Sequence, residues 1–237
     1  MLFQKHQCIF VLTLPLLVEI CQDPSPSKKG FFYFLMRRVN FYFDGFNFYY
    51  GLRSRGWKKY YWLDIVKFCS WFLKPNQELG TVYYFTATPK DQGKKNRQDL
   101  FFSANKLNPK FRLVFGKYVS KKIKLDGKKY TTYEEKQTDV NIAIEMIKNV
   151  IRNKNDISIL VSADSDLLPP IHLIRELEPN HKIFTYFPPN RYSVDLSLNS
   201  DVTIKLSRYE HRFRKSVLPE KVTLSNAYVL KRPDNWK

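Results

Sequence analysis

Two carboxylates one residue apart, Asp164 and Asp166, directly follow a short aliphatic run at residues 158–161. The run is too short and too apolar for a surface strand, so it predicts a strand buried on both faces, as in a parallel sheet. Open parallel sheets bind ligands outside the carboxyl ends of their strands. The two aspartates therefore lie where such a fold places its chemistry, although one member of an isolated pair more often simply caps the next helix.

Two further aspartates occupy comparable positions. Asp44 ends a predicted first strand at residues 39–43, and ordinary Asx-turn chemistry is the alternative explanation for it. Asp139 lies in the first turn of a predicted helix at residues 137–153, where compensation of the helix dipole is the alternative. In a doubly wound sheet the first strand and a later strand flank the switch point, so all of these carboxyl groups are expected to face one cleft.

Converging carboxylates predict a particular chemistry. Without matching bases they repel one another, and they are tolerated only around a cation or with some of them protonated. All-oxygen clusters select hard ions, here Mg²⁺ or Mn²⁺. Such ions orient water and stabilise both oxygens of an in-line phosphoryl displacement. The constellation therefore predicts a metal-dependent reaction at a phosphate.

Strands and helices alternate along the chain around these residues, which predicts an α/β fold with a central, mostly parallel sheet. The long helix at 137–153 carries apolar residues at i, i+4, i+7 and i+11, which predicts one buried face. That face consists of Val140, Ile144, Ile147 and Ile151. The other predicted elements are a helix that starts near Phe48 with Asn47 as its cap, helices at 63–73, 97–107, 167–177 and 193–200, and strands at 81–86, 111–119, 181–187 and 201–206.

The charge of the chain indicates its partner. There are 40 Lys and Arg residues against 22 Asp and Glu, which gives a net charge of +18. This excess favours a polyanion, most simply nucleic acid, with a solvated lysine-rich surface as the alternative. A basic segment at 121–132 turns at Asp126 and Gly127, a hairpin signal. The residues predicted to bind the nucleic acid are Lys94, Lys95, Arg97, Lys121, Lys122, Lys124, Arg212 and Arg214.

The three cysteines form no C-x-x-C pair, so no zinc ribbon or thioredoxin-type site is expected. Cys69 lies in a predicted helix and is expected to be a buried small hydrophobe. Free cysteines of this kind fit a reducing cytosol, so a cytoplasmic location is expected.

Residues 1–35 differ in composition from the rest of the chain. An apolar run at 8–20 is too short to span a bilayer, and a Pro/Ser/Lys patch at 23–29 follows it. Met36 immediately precedes the first strand, so a mis-assigned start is the favoured interpretation, with a leader, an anchor or an accessory element as alternatives. Residues 36–207 are expected to form the main domain, and residues 208–237 a basic arm packed on it.

Three segments together resemble the motifs of NYN domains, in the PIN-like nuclease superfamily. They are VNFYFDGFNFYYG at 39–51, EKQTDVNIA at 135–143 and SADSDL at 162–167, and residues 218–236 are similar to the end of a bacterial LabA-like subgroup. The resemblance implies a three-layer α/β/α PIN-like fold and metal-dependent cleavage of RNA. It implies that Asp44, Asp139, Asp164 and Asp166 hold Mg²⁺ or Mn²⁺ and that Asn47 is a polar partner after the first strand.

Two positions depart from the family pattern. Glu145 stands where Asp is frequent, and Gln137 stands where Gly is usual. Two functions are weighed: a metal-dependent endoribonuclease, and a non-catalytic RNA-binding module on the same fold. A haloacid-type phosphatase would need D-x-D after the first strand, and a dinucleotide-binding domain would need G-x-G-x-x-G there; both motifs are absent. No membrane partner is expected, and a homo-oligomer is left open.

Overall fold

The computed structural model describes residues 36–125 and 128–237, with the side chains of residues 121–135 outside that description. The interpretation of residues 1–35, the turn at Asp126 and Gly127, and the side-chain roles of Lys121, Lys122 and Lys124 therefore lie outside the described residues. No helix in the described part of the chain is long and apolar enough to cross a bilayer.

A parallel sheet of six strands in the order β3-β2-β1-β6-β7-β8 forms the centre of the described structure. Its order reverses between β1 and β6, which is the predicted switch point. A separate hairpin, β4 with β5, follows β3, and a second hairpin, β9 with β10, lies near the end of the chain. The strands are β1 (Arg37–Asp44), β2 (Gln77–Thr86), β3 (Phe111–Phe115), β4 (Lys117–Leu125), β5 (Lys128–Lys136), β6 (Ile157–Val161), β7 (Lys182–Phe187), β8 (Val202–Lys205), β9 (Lys221–Thr223) and β10 (Val229–Lys231).

Helices cover both faces of the sheet and make the fold three-layered. Val39, Phe41 and Phe43 of β1 pack into one apolar cluster, whereas Tyr42 between them packs into the other. This alternation is the period of a strand that is buried on both sides. The helices are α1 (Gly45–Ser54), α2 (Ile65–Ser70), α3 (Gln92–Asn105), α4 (Thr138–Ile151), α5 (Leu168–Leu177), α6 (Val194–Leu198) and α7 (Glu210–Lys215).

Helix α4 buries a different face from the one predicted. Val140, Ile144 and Ile151 are 59%, 56% and 62% exposed, whereas Ile142 and Met146 are buried against the sheet. The prediction of the buried face was therefore wrong. The helix carries two apolar stripes, and spacing alone does not show which of them the sheet covers.

The predicted third strand is interrupted at Gly116. Strand β3 ends at Phe115, and the hairpin strand β4 begins at Lys117. A Cβ atom at Gly116 would lie 2.6 Å from Thr138 Oγ1 at the start of α4. The backbone passes so close to this helix that only glycine fits, and the chain changes sheets there.

Residues after 207 contribute to the core. Phe213 of α7 is fully buried and stacks against Phe48 of α1. The indole nitrogen of Trp62 donates a 2.8 Å hydrogen bond to the carbonyl of Pro219. Cys69 is buried as predicted, and burial raises the pKa of its thiol.

Candidate metal centre

Asp44 ends β1 and has both carboxylate oxygens fixed. Its Oδ1 accepts a 3.0 Å hydrogen bond from the backbone N–H of Asn47, so Asp44 caps helix α1. Its Oδ2 accepts a 2.8 Å hydrogen bond from the hydroxyl of Ser162. The predicted helix start near Phe48, with Asn47 as its cap, is thus corrected by three residues.

The turn after Asp44 needs a glycine. Helix α1 begins at Gly45, where a Cβ atom would lie 2.5 Å from the carbonyl oxygen of Phe85 in β2. This close approach lets the helix start immediately beyond the strand. The side-chain oxygen of Asn47 then accepts a 3.3 Å hydrogen bond from the N–H of Ala163, which ties α1 to the loop after β6.

Asp164 lies in that loop, beside Asp44. Its backbone N–H donates to Ser162 Oγ at 3.0 Å, so one serine hydroxyl contacts both aspartates. Asp164 Oδ1 accepts a 3.1 Å hydrogen bond from the N–H of Asp166 and so caps a short 3-10 turn. Asp164 therefore caps this turn, as the alternative explanation proposed, and also lies in the acidic cluster.

Asp139 reaches the same place from α4. The helix begins at Thr138, and the preceding Gln137 has a positive φ of 77°. A left-handed residue at this point explains why glycine is usual there in the family that the motif resembles. Asp139 is exposed and lies across the cleft from the end of β1.

Three of the four predicted carboxylates come together. Asp44, Asp139 and Asp164 each offer one oxygen, and these oxygens all lie within 4.8 Å of one another. Asp166 is exposed and outside this group of three, although its charge raises the pKa of Asp139. Glu145 pairs with Lys148 along α4.

Burial and mutual repulsion make it unfavourable for all carboxyl groups of the cluster to be ionised together. Burial, together with the smaller effect of the charges of Asp139 and Asp164, raises the pKa of Asp44 to about 6, against the hydrogen bonds from Asn47 and Ser162 that lower it. Burial and the charges of Asp164 and Asp166 also raise the pKa of Asp139. These groups would be stabilised in their charged form by a cation between them.

The donor set fits a small hard cation. All three donors are carboxylate oxygens, the ligand type that Mg²⁺ and Mn²⁺ prefer, and one oxygen from each lies within 4.8 Å of the others. The oxygens face a cavity of about 160 Å³. Its wall consists of Asp44, Phe46, Asn47, Tyr50, Thr138, Asp139, Asp164 and Arg191.

Arg191 and Ser162 were missed by reasoning from the sequence. Arg191 follows β7, the strand next to β6, in a turn in which its N–H donates to the carbonyl of Pro188 and Asn190 has a φ of 55°. The strand-end rule that selected Asp164 would have selected this loop as well. Ser162 is the first residue of the SADSDL motif at 162–167, but nothing in the sequence indicates that its hydroxyl contacts two aspartates.

The predicted nucleic-acid contacts divide into three groups. Lys94 and Arg97 line a larger cavity beside the cluster, whereas Lys95 does not line it. The Arg212 guanidinium lies 4.3 Å from the ring centre of Phe72, packed on an aromatic group elsewhere, and Arg214 is exposed on α7. Lys121, Lys122 and Lys124 lie in β4, and their side chains are outside the described residues.

The chain resembles known proteins over this same region. The family model of the NYN domain matches residues 38–206. A curated relative, the 6-hydroxy-3-succinoylpyridine 3-monooxygenase HspA of Pseudomonas putida, is 26% identical over 176 residues, covering 58% of this chain and 55% of the relative. The chain thus spans about half the length of that relative.

A solved structure is also similar to this chain. It is a crystal structure of a protein of unknown function from Vibrio parahaemolyticus, with a TM-score of 0.49 and 18% sequence identity. The match covers 72% of this chain and 93% of that one.

Proposed function

This chain belongs to the NYN domain family, and from that premise we propose that it is a divalent-cation-dependent endoribonuclease. The proposal depends on one observation, the convergence of Asp44, Asp139 and Asp164 at the carboxyl ends of the central strands. The family is generally one of nucleases, and the net charge of +18 favours a polyanionic substrate. The proposed reaction is hydrolysis of an RNA phosphodiester bond.

Each residue of the site has a role in this proposal. Asp44, Asp139 and Asp164 would hold Mg²⁺ or Mn²⁺, which when bound polarises the phosphate and lowers the pKa of water. Ser162 and the N–H of Asn47 keep the Asp44 carboxylate in one orientation.

Two further residues support the site. The N–H of Asp166 orients Asp164 by its hydrogen bond to Oδ1. Arg191 faces the same cavity as the carboxylates and would bind a non-bridging phosphate oxygen of the substrate. Its positive charge offsets the charge that develops on the phosphate during displacement.

Hydrolysis is favoured over oxygenation for this chain. The name of the Pseudomonas relative describes a monooxygenase, but the chain spans only 55% of that protein. Non-haem iron oxygenases use two histidines and one carboxylate, whereas the described cluster offers carboxylates alone.

The decisive experiment measures metal-dependent cleavage. Purified protein is incubated with end-labelled single-stranded RNA in Mn²⁺, in Mg²⁺ and in EDTA, and we expect cleavage only with a metal present. Asp164→Asn should abolish cleavage because it keeps the shape of the side chain and removes its charge. Asp99→Asn, an exposed carboxylate of α3, is the matched control and should cleave at the parent rate.

The alternative function has a clear signature in the same assay. Protein that binds RNA but does not cut it, across several substrates with Mn²⁺ present, would be a binding module on a nuclease fold. A metal that binds the cluster should also raise the melting temperature of the parent and not that of Asp164→Asn.

A further inference from the structure

A second cavity adjoins the acidic one and has a different character. Its volume is about 460 Å³, within the range of about 300–1,000 Å³ that is typical of small-ligand pockets. Phe46 and Tyr50 of α1 line both cavities, so the two spaces share a wall. Its other walls come from α3, from the end of β2 and from Trp236 near the end of the chain.

Aromatic rings run along this cavity without a break. Each ring contacts the next, with centroids between 5.0 Å for Tyr49 with Tyr61 and 6.5 Å for Phe46 with Tyr50. Such a surface offers ring faces and edges on which a flat heterocycle can stack. In order, the run is Tyr118, Phe46, Tyr50, Tyr49, Tyr61 and Trp236.

The side chain of Gln98 also lines the cavity. The side-chain amide of Gln98 donates to Thr86 Oγ1 at 3.2 Å and is 3.4 Å from the carbonyl of Ala87. Its Oε1 is buried and has no hydrogen-bond partner among the described residues. Gln98 therefore contributes a polar amide side chain to the wall of the cavity.

The charge on this wall matches a polyanion. The charged side chains among the described lining residues are all cations: Arg53, Lys58, Lys94 and Arg97. The acidic cavity on the other side of Phe46 and Tyr50 carries the carboxylates instead. One continuous surface therefore offers aromatic stacking, cations for phosphates and a cation site for the reacting phosphate.

We propose that the aromatic cavity binds one unpaired nucleobase of a single-stranded RNA while a neighbouring phosphate of the same strand lies at the acidic cluster. This inference rests on the proposed nuclease function and names its substrate class. A base inside a duplex is stacked and paired and cannot enter the cavity, so single-stranded segments and loops are selected.

The first test substitutes the shared wall. Tyr50 is 43% exposed, so Tyr50→Ala removes stacking surface with little loss from the core. Binding of a fluorescent eight-nucleotide RNA in EDTA, where no cleavage occurs, should weaken by about tenfold, whereas Tyr50→Phe should keep the parent affinity. Tyr228→Ala, a 60% exposed tyrosine outside both cavities, is the matched control.

The second test changes the RNA and leaves the protein intact. An abasic nucleotide is placed at each position of the same strand in turn. We expect one position at which loss of the base weakens binding to the parent by about tenfold, and the same loss should be small in Tyr50→Ala because the partner ring is gone. The abasic effect on the parent involves no protein variant, so it stays informative even if the folding of Tyr50→Ala is impaired.

The outcomes separate this inference from the nuclease proposal. RNA binding with the coincident abasic and Tyr50 effects but no cleavage in Mn²⁺ would support the cavity inference and overturn the nuclease proposal. Cleavage with no sensitive abasic position, or an unchanged affinity of Tyr50→Ala, would overturn the cavity inference alone. Failure of the parent to bind single-stranded RNA, or equal affinity for duplex RNA, would overturn it as well.

Discussion

The acidic and aromatic cavities share two side chains but are built in opposite ways. The acidic one is small, and its central aspartate is only 4% exposed and fixed by hydrogen bonds from Asn47 and Ser162. The aromatic one is larger and is lined by aromatic rings, several of them partly exposed, and by cationic side chains. Fixed groups suit charge stabilisation in a transition state, whereas adaptable ring surfaces suit binding of a variable strand. Substitutions in the two cavities should therefore separate rate from affinity.

The largest effect is expected from Asp44→Asn. The amide keeps the shape but cannot neutralise a cation, so cleavage under single-turnover conditions should fall by about a thousandfold or more. RNA affinity should change by less than about threefold, because the base and the outer phosphates bind elsewhere. An affinity loss as large as the rate loss would show that the two cavities do not divide these roles.

The same variant should be more stable than the parent at neutral pH. The pKa of Asp44 is raised from 3.8 to about 6 in the folded protein, so the native state binds more protons than the unfolded state between these values. Stability therefore falls as pH rises through this window, by about 2–3 kcal/mol, and the cost persists above pH 6. Asp44→Asn removes it, and urea unfolding at pH 7.5 should show the gain.

The difference between variant and parent is the quantity to follow with pH. Burial lowers the pKa of His181 to about 4, and this group acts in the opposite direction, losing stability as pH falls from about 6.5. Subtracting the parent curve cancels it. The advantage of Asp44→Asn should shrink toward pH 4, and a constant difference would contradict the assigned pKa.

A smaller effect is expected from the cations of the aromatic cavity. Lys94→Gln with Arg97→Gln should weaken RNA binding by about tenfold and lower the salt slope by about one for each lost phosphate contact. The rate at saturating RNA should be unchanged. Lys67→Gln, an exposed lysine of α2, is the control.

Charge reversal of Lys121, Lys122 and Lys124 tests the β4–β5 hairpin by the same measurement of RNA binding. We expect weaker binding, and an unchanged RNA affinity would place the RNA-binding groove elsewhere.

The smallest effect concerns the position before α4. Gln137 has a φ of 77°, a left-handed conformation that costs a side chain about 1 kcal/mol and costs glycine little. Gln137→Gly should raise the free energy of unfolding by about 0.5 kcal/mol after the greater entropy of the unfolded chain is counted. Ala143→Gly within α4 should lower it by about 1 kcal/mol. A lower free energy of unfolding in Gln137→Gly would contradict the claim that the left-handed conformation of Gln137 is unfavourable.

The parallel sheet and the switch point could be predicted because both depend on the order of strands and helices along the chain. The same order shows which aspartates directly follow a strand. Asp44 and Asp164 could be placed at adjacent strand ends without any side-chain contact being known, since parallel strands align their carboxyl ends. Asp139 was assigned to the same cleft from its place in the first turn of a predicted helix, and the family motif implied the same role for it.

Details that depend on packing between distant segments could not be predicted. The exposed stripe of α4 with Val140 and Ile144 and its buried stripe with Ile142 and Met146 are both apolar, and only the sheet decides between them. Trp236 reaches the aromatic cavity from the far end of the chain, which no local pattern indicates.

The hydrogen bond from Ser162 to Asp44 joins residues 118 positions apart in the chain. Contacts of such long sequence separation form late in folding, because the entropy of closing a long loop is lost before strand pairing compensates for it. A nascent chain that has not yet reached residue 162 lacks both the serine–aspartate link and one of the three converging carboxylates. The acidic site is therefore assembled with the pairing of β1 and β6, after most of the chain has been synthesised.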